Sequence, residues 1–280
     1  MTGTIDNVDH TMVPVHNLDE SARKMRRLGF TLTPKSVHKG LGTANRCIML
    51  AEQNYVEIIA IDSIDAPQPP FAKSLQNREG TYAVALASEN AAAAVVAFRK
   101  NGMIVNDPFT FSRMATTSNG ETEVSFTVIM IDPNELPQGM MFICQHHSRE
   151  KLFTDDVKSH LNGALGIHSI TAIVSDLDVA ADSYGKLFGW DRIARSEDFL
   201  TVSNEKTSLI FMTENYFISQ YGAIYQPPTL PCFCVLSFSV ASRLHTREFL
   251  LNAEIPFTEG LDGQLRIAPQ EGCGDIIEFI

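Results

Sequence analysis

The residue pattern richest in chemistry is a carboxylate set into an apolar strand, Glu57 in "YVEIIA". Removing an isolated carboxylate from water is costly, so such a group must be paired with a cation, protonated or bound to a metal. Arg46, in the preceding β-rich run "TANR", is one partner that would neutralise it as a plain ion pair. Asn45 and Arg46 also suit recognition of a small molecule, the amide for a hydroxyl or carbonyl and the guanidinium for a carboxylate or enolate. A structural reading stands beside it, with Asn45 starting a bulge and Arg46 capping a surface edge. His10 opens the strand-like run "HTMVPV", and Gln145, His146 and His147 end "FICQHH". Successive strand residues face opposite sides, so Gln145 and His147 share one side and His146 takes the other. Taken alone, His10 reads as a half-buried histidine satisfied by a hydrogen bond, and the His146–His147 pair as a solvated strand end.

The elements that must position these groups recur along the chain. "VDHTMVPV" alternates as a half-buried strand does, and "LDESARKMRRL" has helical periodicity closed by Gly29. Two β-rich runs follow, "GTANRCIMLA" and "NYVEIIAID", giving a β-α-β-β-β unit over 5–62. A Pro-rich polar connector leads to a second such unit over 81–147. The pattern returns over 166–214, opening with "HSITAIVSD", and again over 231–280. Four units, each too small to bury its own sheet, predict an α+β protein of two paired domains, 5–147 and 166–280. Residues 148–165 read as the linker.

Tandem units opening with "DH…V…V.NLD.S" and closing at "LGF" resemble the vicinal oxygen chelate superfamily. "RRLGFTLTP", "GTANRCIML", "YVEIIA" and "FICQHH" are similar to its glyoxalase-like subgroup. The resemblance implies four βαβββ units paired into two cup-shaped half-barrel domains. It also implies metal ligands on the first and last strands of each unit, which His10 and Glu57 match. Zn, Fe, Mn or Ni would suit an imidazole–carboxylate site, with water on the open positions. The second unit departs from the pattern, because counting back from its closing glycine puts Ala83 opposite His10. His146 is then the expected third ligand or acid–base group, beside Glu57, with Asn45, Arg46 and Gln145 contacting substrate. The C-terminal pair reads as degenerate. Ser169, not His168, falls opposite His10, and although Glu278 matches a ligand position, pairing with Arg266 accounts for it.

The resemblance implies a metal-dependent lyase or isomerase that binds vicinal oxygens of a small substrate and stabilises an enediolate. A non-haem iron ring-cleaving dioxygenase is one alternative. A metal-free protein that sequesters a small molecule is another, with Phe109, Phe111, Met130, Met140 and Met141 as candidate lining. His16 and His38 fall in expected loops and could touch ligand, although no spacing supports such a role. The formal charge is −11, from 22 Lys plus Arg against 33 Asp plus Glu, with no basic run, which argues against nucleic acid. No apolar stretch reaches a membrane span, and the N-terminus lacks a signal peptide's pattern. Five scattered cysteines do not suggest a disulfide framework, so the expected compartment is the cytoplasm. A homodimer is compatible with cups completed between chains.

Overall fold

In a computed structural model, which describes residues 5, 7–63, 65–136, 139–204, 206–222 and 230–280, the repeated units form two eight-stranded sheets. The first unit comprises β1 (Asn7–Pro14), α1 (Leu18–Arg27), β2 (Ser36–His38), β3 (Thr43–Met49) and β4 (Tyr55–Ile61). A short helix, α2 (Ala72–Leu75), precedes the second unit: β5 (Ala83–Ala87), α3 (Ala91–Lys100), β6 (Phe109–Thr117), β7 (Gly120–Met130) and β8 (Met140–His146). The third unit contains β9 (Ala164–Ile173), α4 (Leu177–Phe188), β10 (Ile193–Arg195), β11 (Phe199–Ser203) and β12 (Ser208–Met212). After α5 (Glu214–Tyr221), which the repeat pattern does not foresee, come β13 (Cys232–Val240), α6 (Arg243–Asn252), β14 (Thr258–Glu259), β15 (Leu265–Ile267) and β16 (Ile276–Phe279). The strand orders are β2-β3-β4-β1-β5-β8-β7-β6 and β10-β11-β12-β9-β13-β16-β15-β14. This is the α+β architecture of two cup-shaped half-barrels.

The recurring phrase "NLD"/"DLD" is a helix start. Asn17 Oδ1 accepts from the backbone of Asp19 and Glu20 at 3.1 and 3.0 Å, and Asp176 caps α4 in the same way. Gly29 closes α1 at φ +88°, where a Cβ would lie 2.8 Å from the Phe249 ring and 2.9 Å from Asn162 N. The two halves approach that closely because the helix-bearing faces of both sheets share one apolar cluster. In it Phe30 meets Phe238 and Phe279 at ring distances of 5.0 and 5.9 Å.

Residues 148–165 are tied down rather than free. His160 bridges Thr31 N and the Met49 carbonyl at 3.0 Å each, and β9 already begins at Ala164. A second tie is polar: Asp275, fully buried, accepts from Arg78 Nη2 and from the backbone and hydroxyl of Thr81, each at 2.7 Å. Removing one partner of a buried pair strands the other charge, at a cost of about 3–5 kcal/mol. Arg78→Met should therefore lower the thermal midpoint by many degrees in a calorimetric scan, whereas Arg247→Met, at an exposed pair, should leave it almost unchanged.

Candidate active site

The register identifies equivalent positions in the four units. Met12, Ala85, Thr171 and Ser237 each lie six residues before the first residue of α1, α3, α4 and α6. Their partners on the parallel strand are Glu57, Phe142, Ile210 and Glu278. Two residues earlier on the first strands stand His10, Ala83, Ser169 and Val235. The first sheet thus has titratable groups at two of its four equivalent positions, His10 and Glu57; Ala83 and Phe142 take the others.

His10 and Glu57 line a cavity of about 390 Å³ on the inner face of the first sheet, walled by Tyr55, Phe71, Phe111, Phe126 and Phe142. That volume suits a small organic ligand. Glu57 is 7% exposed and His10 5%. The Asn45 amide donates to Glu57 Oε1 at 2.5 Å, and His10 Nε2 lies 4.0 Å from Glu57 Oε2. Burial works against the Glu57 carboxylate, but His10, His38, Arg113 and the Asn45 hydrogen bond outweigh it and hold it below its ordinary pKa. The His10 ring stacks on Tyr55 at 4.4 Å and meets the edge of Phe142 at 5.6 Å.

Behind His10 lies Asp9. The β1–β5 register shifts between Val8 and His10, a bulge that releases Asp9 from the alternation and lets it turn toward its neighbour's ring. Asp9 Oδ1 is 2.6 Å from His10 Nδ1, and Oδ2 takes Arg149 from the segment after β8. Burial opposes the charge on Asp9, but the His10 hydrogen bond, Arg149 and His146 prevail and keep its pKa low. An ionised Asp9 accepts only, so Nδ1 carries the hydrogen and Nε2 is the nitrogen facing the cavity.

The other expected site residues fall elsewhere. His146, four residues beyond Phe142, lines a separate polar cavity of about 480 Å³ together with Gln145, Arg149 and Lys206. Its ring lies on Phe126 at 4.5 Å, Ser148 N donates to its Nδ1, and burial pulls its pKa down to about 4 although Asp9 opposes this. The expectation of His146 as third ligand overlooked that Phe142 occupies the matching register. Gln145 caps α3, accepting from Ala91 N and donating to the Glu89 carbonyl, and does not reach the His10 cavity. Arg46 points to the helix side, bonding the Thr33 carbonyl and Asp19 at 3.3 Å each, so it is neither the counter-ion of Glu57 nor a cavity residue. Phe111 and Met140 line the His10 cavity; Phe109, Met130 and Met141 are not among its lining residues. His168 is exposed.

The donors present do not fit a metal held as the resemblance implies. Among the described residues no three His, Cys, Asp or Glu side chains converge on one point. In the first cup one nitrogen and one carboxylate face each other, with an alanine and a phenylalanine at the remaining positions. Cys144 also lines the cavity, but burial raises its thiol well above the ordinary range. Sequence reading gave two groups there no role and set a third, His38, in a loop. Asp9 was hidden by the bulge, Arg113 on β6 by an unremarkable strand, and His38 because its strand is only three residues long.

In the second cup α5 fills the equivalent space. Phe217 is fully buried and stacks with Tyr221 at 4.7 Å, and Arg266 lies 4.2 Å over the Tyr221 ring. Glu278 accepts from Arg266 and Ser237 at 2.8 Å each, as expected for the arginine.

The glyoxalase-like domain family model matches residues 8–188. The chain belongs to that family. No functionally curated protein matches it. Among solved structures, a hypothetical protein from Staphylococcus aureus is 12% identical with TM-score 0.64, covering 98% of each chain. A mutant 4-hydroxymandelate synthase from Streptomyces coelicolor is 9% identical with TM-score 0.61, over 91% of this chain and 77% of that one. The Mn(II)-bound glyoxalase from Novosphingobium aromaticivorans is 11% identical with TM-score 0.59, over 99% and 82%. At these identities the likeness is one of fold, that of the vicinal oxygen chelate superfamily. The described residues include no helix long and apolar enough to cross a membrane.

Asp9 and Glu57 bind protons less readily folded than unfolded. Their contribution to stability is therefore complete above their ordinary values of 3.8 and 4.5 and is lost as pH falls through the lower folded values. Between about pH 6 and about pH 3 the wild-type melting temperature should fall more steeply than that of Asp9→Asn/Glu57→Gln, followed by circular dichroism.

Proposed function

We propose that the first cup binds a small, largely apolar molecule carrying oxygen groups and moves a proton on it, with His10 as the acid–base residue. The observation that carries this reading is the buried row Asp9–His10–Glu57 at the floor of an apolar cavity. Asp9 orients the ring, as the third member of a nucleophile–base–orienter set does. Nε2 takes a proton from the carbon next to a substrate carbonyl, and the released electron pair moves onto the carbonyl oxygen. The imidazolium so formed lies between two carboxylates, Asp9 at 2.6 Å and Glu57 at 4.0 Å. Nε2 then returns the proton to carbon or to the oxygen. Asn45 keeps Glu57 in place and is a positioning residue. Return to the oxygen is a tautomerisation and return to the carbon an exchange of its proton with solvent, and neither needs a bound metal, which separates this reading from the metal-dependent and ring-cleaving ones.

A second reading, stoichiometric sequestration, draws on Ala83 and Phe142 at the other equivalent positions. One experiment separates them. The protein is incubated in D2O with a panel of α-hydroxy ketones and α-keto acids, and deuterium incorporation is followed by mass spectrometry. Exchange should occur for at least one compound, persist in EDTA, and fall about 10²–10⁴-fold in His10→Gln. Tight binding with no exchange supports sequestration. Exchange abolished by EDTA and restored by one divalent ion overturns the metal-free form.

A further inference from the structure

Two cavity groups have no part in that proton transfer, His38 and Arg113. They come from the outermost strands of the first sheet, β2 and β6, which meet only because the sheet curls into a near-closed barrel. Across this seam Thr116 N donates to Ser36 Oγ at 3.2 Å. His38 is 6% exposed and lines the cavity. Its Nδ1 lies 2.9 Å from the Thr43 hydroxyl, while Nε2 is buried with no hydrogen-bond partner within 3.5 Å among the described residues. Native proteins seldom leave such an atom bare. When the Thr43 hydroxyl donates to Nδ1, Nε2 carries the hydrogen and is a donor directed at the cavity. Arg113 lies 5.6 Å over the Phe126 ring, and among the described residues its guanidinium makes one long hydrogen bond, 3.4 Å to the Met114 carbonyl. Most of its donors therefore remain available at an apolar wall. Burial holds the His38 ring below its ordinary pKa and Arg113 adds to the effect, against the pull of Glu57 and of the nearby Asn45 side chain, which places these groups in one neighbourhood. Glu57 turns its two oxygens toward Asn45 and His10, and among the described residues neither His38 nor Arg113 has a hydrogen bond to it.

We propose that His38 Nε2 and the Arg113 guanidinium form a carboxylate subsite, so that the cup takes flat, largely apolar carboxylic acids. A guanidinium stacked on an aromatic ring presents a planar pair of donors matched to a carboxylate. Phe111, Phe126, Phe142 and Tyr55 supply walls for an aromatic body. The subsite rests on the cavity being the ligand site proposed above, and it adds the chemical class of the ligand.

The test is calorimetric binding of phenylacetate and its neutral isostere phenylacetamide to the full-length protein. Circular dichroism verifies the fold of each variant. Wild type should prefer the carboxylate by about tenfold or more, the scale of one charge-assisted hydrogen bond. Arg113→Gln and His38→Phe should each erode that preference while retaining amide affinity, and His38→Gln, which keeps a donor, should preserve it. Equal affinity of wild type for the two probes, no phenylacetate binding at millimolar concentration, or a preference unchanged in Arg113→Gln would overturn the subsite. Deuterium exchange without carboxylate preference overturns the subsite and leaves the proton-transfer reading standing. Carboxylate preference lost in Arg113→Gln, with no exchange for any compound, supports the subsite and overturns proton transfer.

Discussion

The constraint on which the rest depends is that both sheets turn their helix-bearing faces to one shared apolar cluster. Burial on that side supplies the largest favourable term in folding. Once it is shared, neither sheet can use its partner to cover the inner face, and each must find another way to satisfy it. The second half does so with its own chain, packing Phe217 and Tyr221 of α5 into the curl. The first half curls until β2 and β6 nearly meet and leaves a cavity. One repeated unit has thus given one filled cup and one open cup.

The same divergence shows in two carboxylates at equivalent register positions. Glu278 is neutralised by Arg266 on the adjacent strand, with Ser237 taking its second oxygen, and this makes a closed structural pair. Glu57 has an amide on one oxygen and an imidazole at 4.0 Å from the other, with a guanidinium acting from further away. Buried ions are tolerated when polar groups surround them, and around Glu57 those groups also face open space. An ion held this way is ready to respond to a ligand; the pair at Glu278 is already complete.

Much of the fold was legible because hydrophobic period and helix caps are local signals. The strand–helix phrases, the closing glycines and the counts that placed Ala83 and Ser169 opposite His10 all depend on spacing alone. The buried carboxylate at Glu57 was legible too, since a charge inside an apolar strand demands an explanation. Of the readings held for Arg46, those as counter-ion and substrate contact fail because alternation from Glu57 on the paired strand was not carried across: Cys47, not Arg46, stands opposite Glu57. His146 was misread because nearness to a strand end was taken for register. Asp9, His38 and Arg113 depend on a bulge and on closure between strands far apart in sequence, and neither leaves a local trace.

Arg149 gives the connection between the halves a meaning beyond linkage. The second unit ends at His146, yet the cation that holds Asp9 sits three residues past it, in the segment leading to the third unit. A chain cut at the unit boundary would keep every residue lining the open cup and lose the group that steadies its histidine from behind. It would also expose Phe30, which in the whole chain lies against Phe238 and Phe279. The duplicated halves are therefore not interchangeable modules: the open cup is a property of the whole chain, and transplanting it means carrying the connection and its apolar support along.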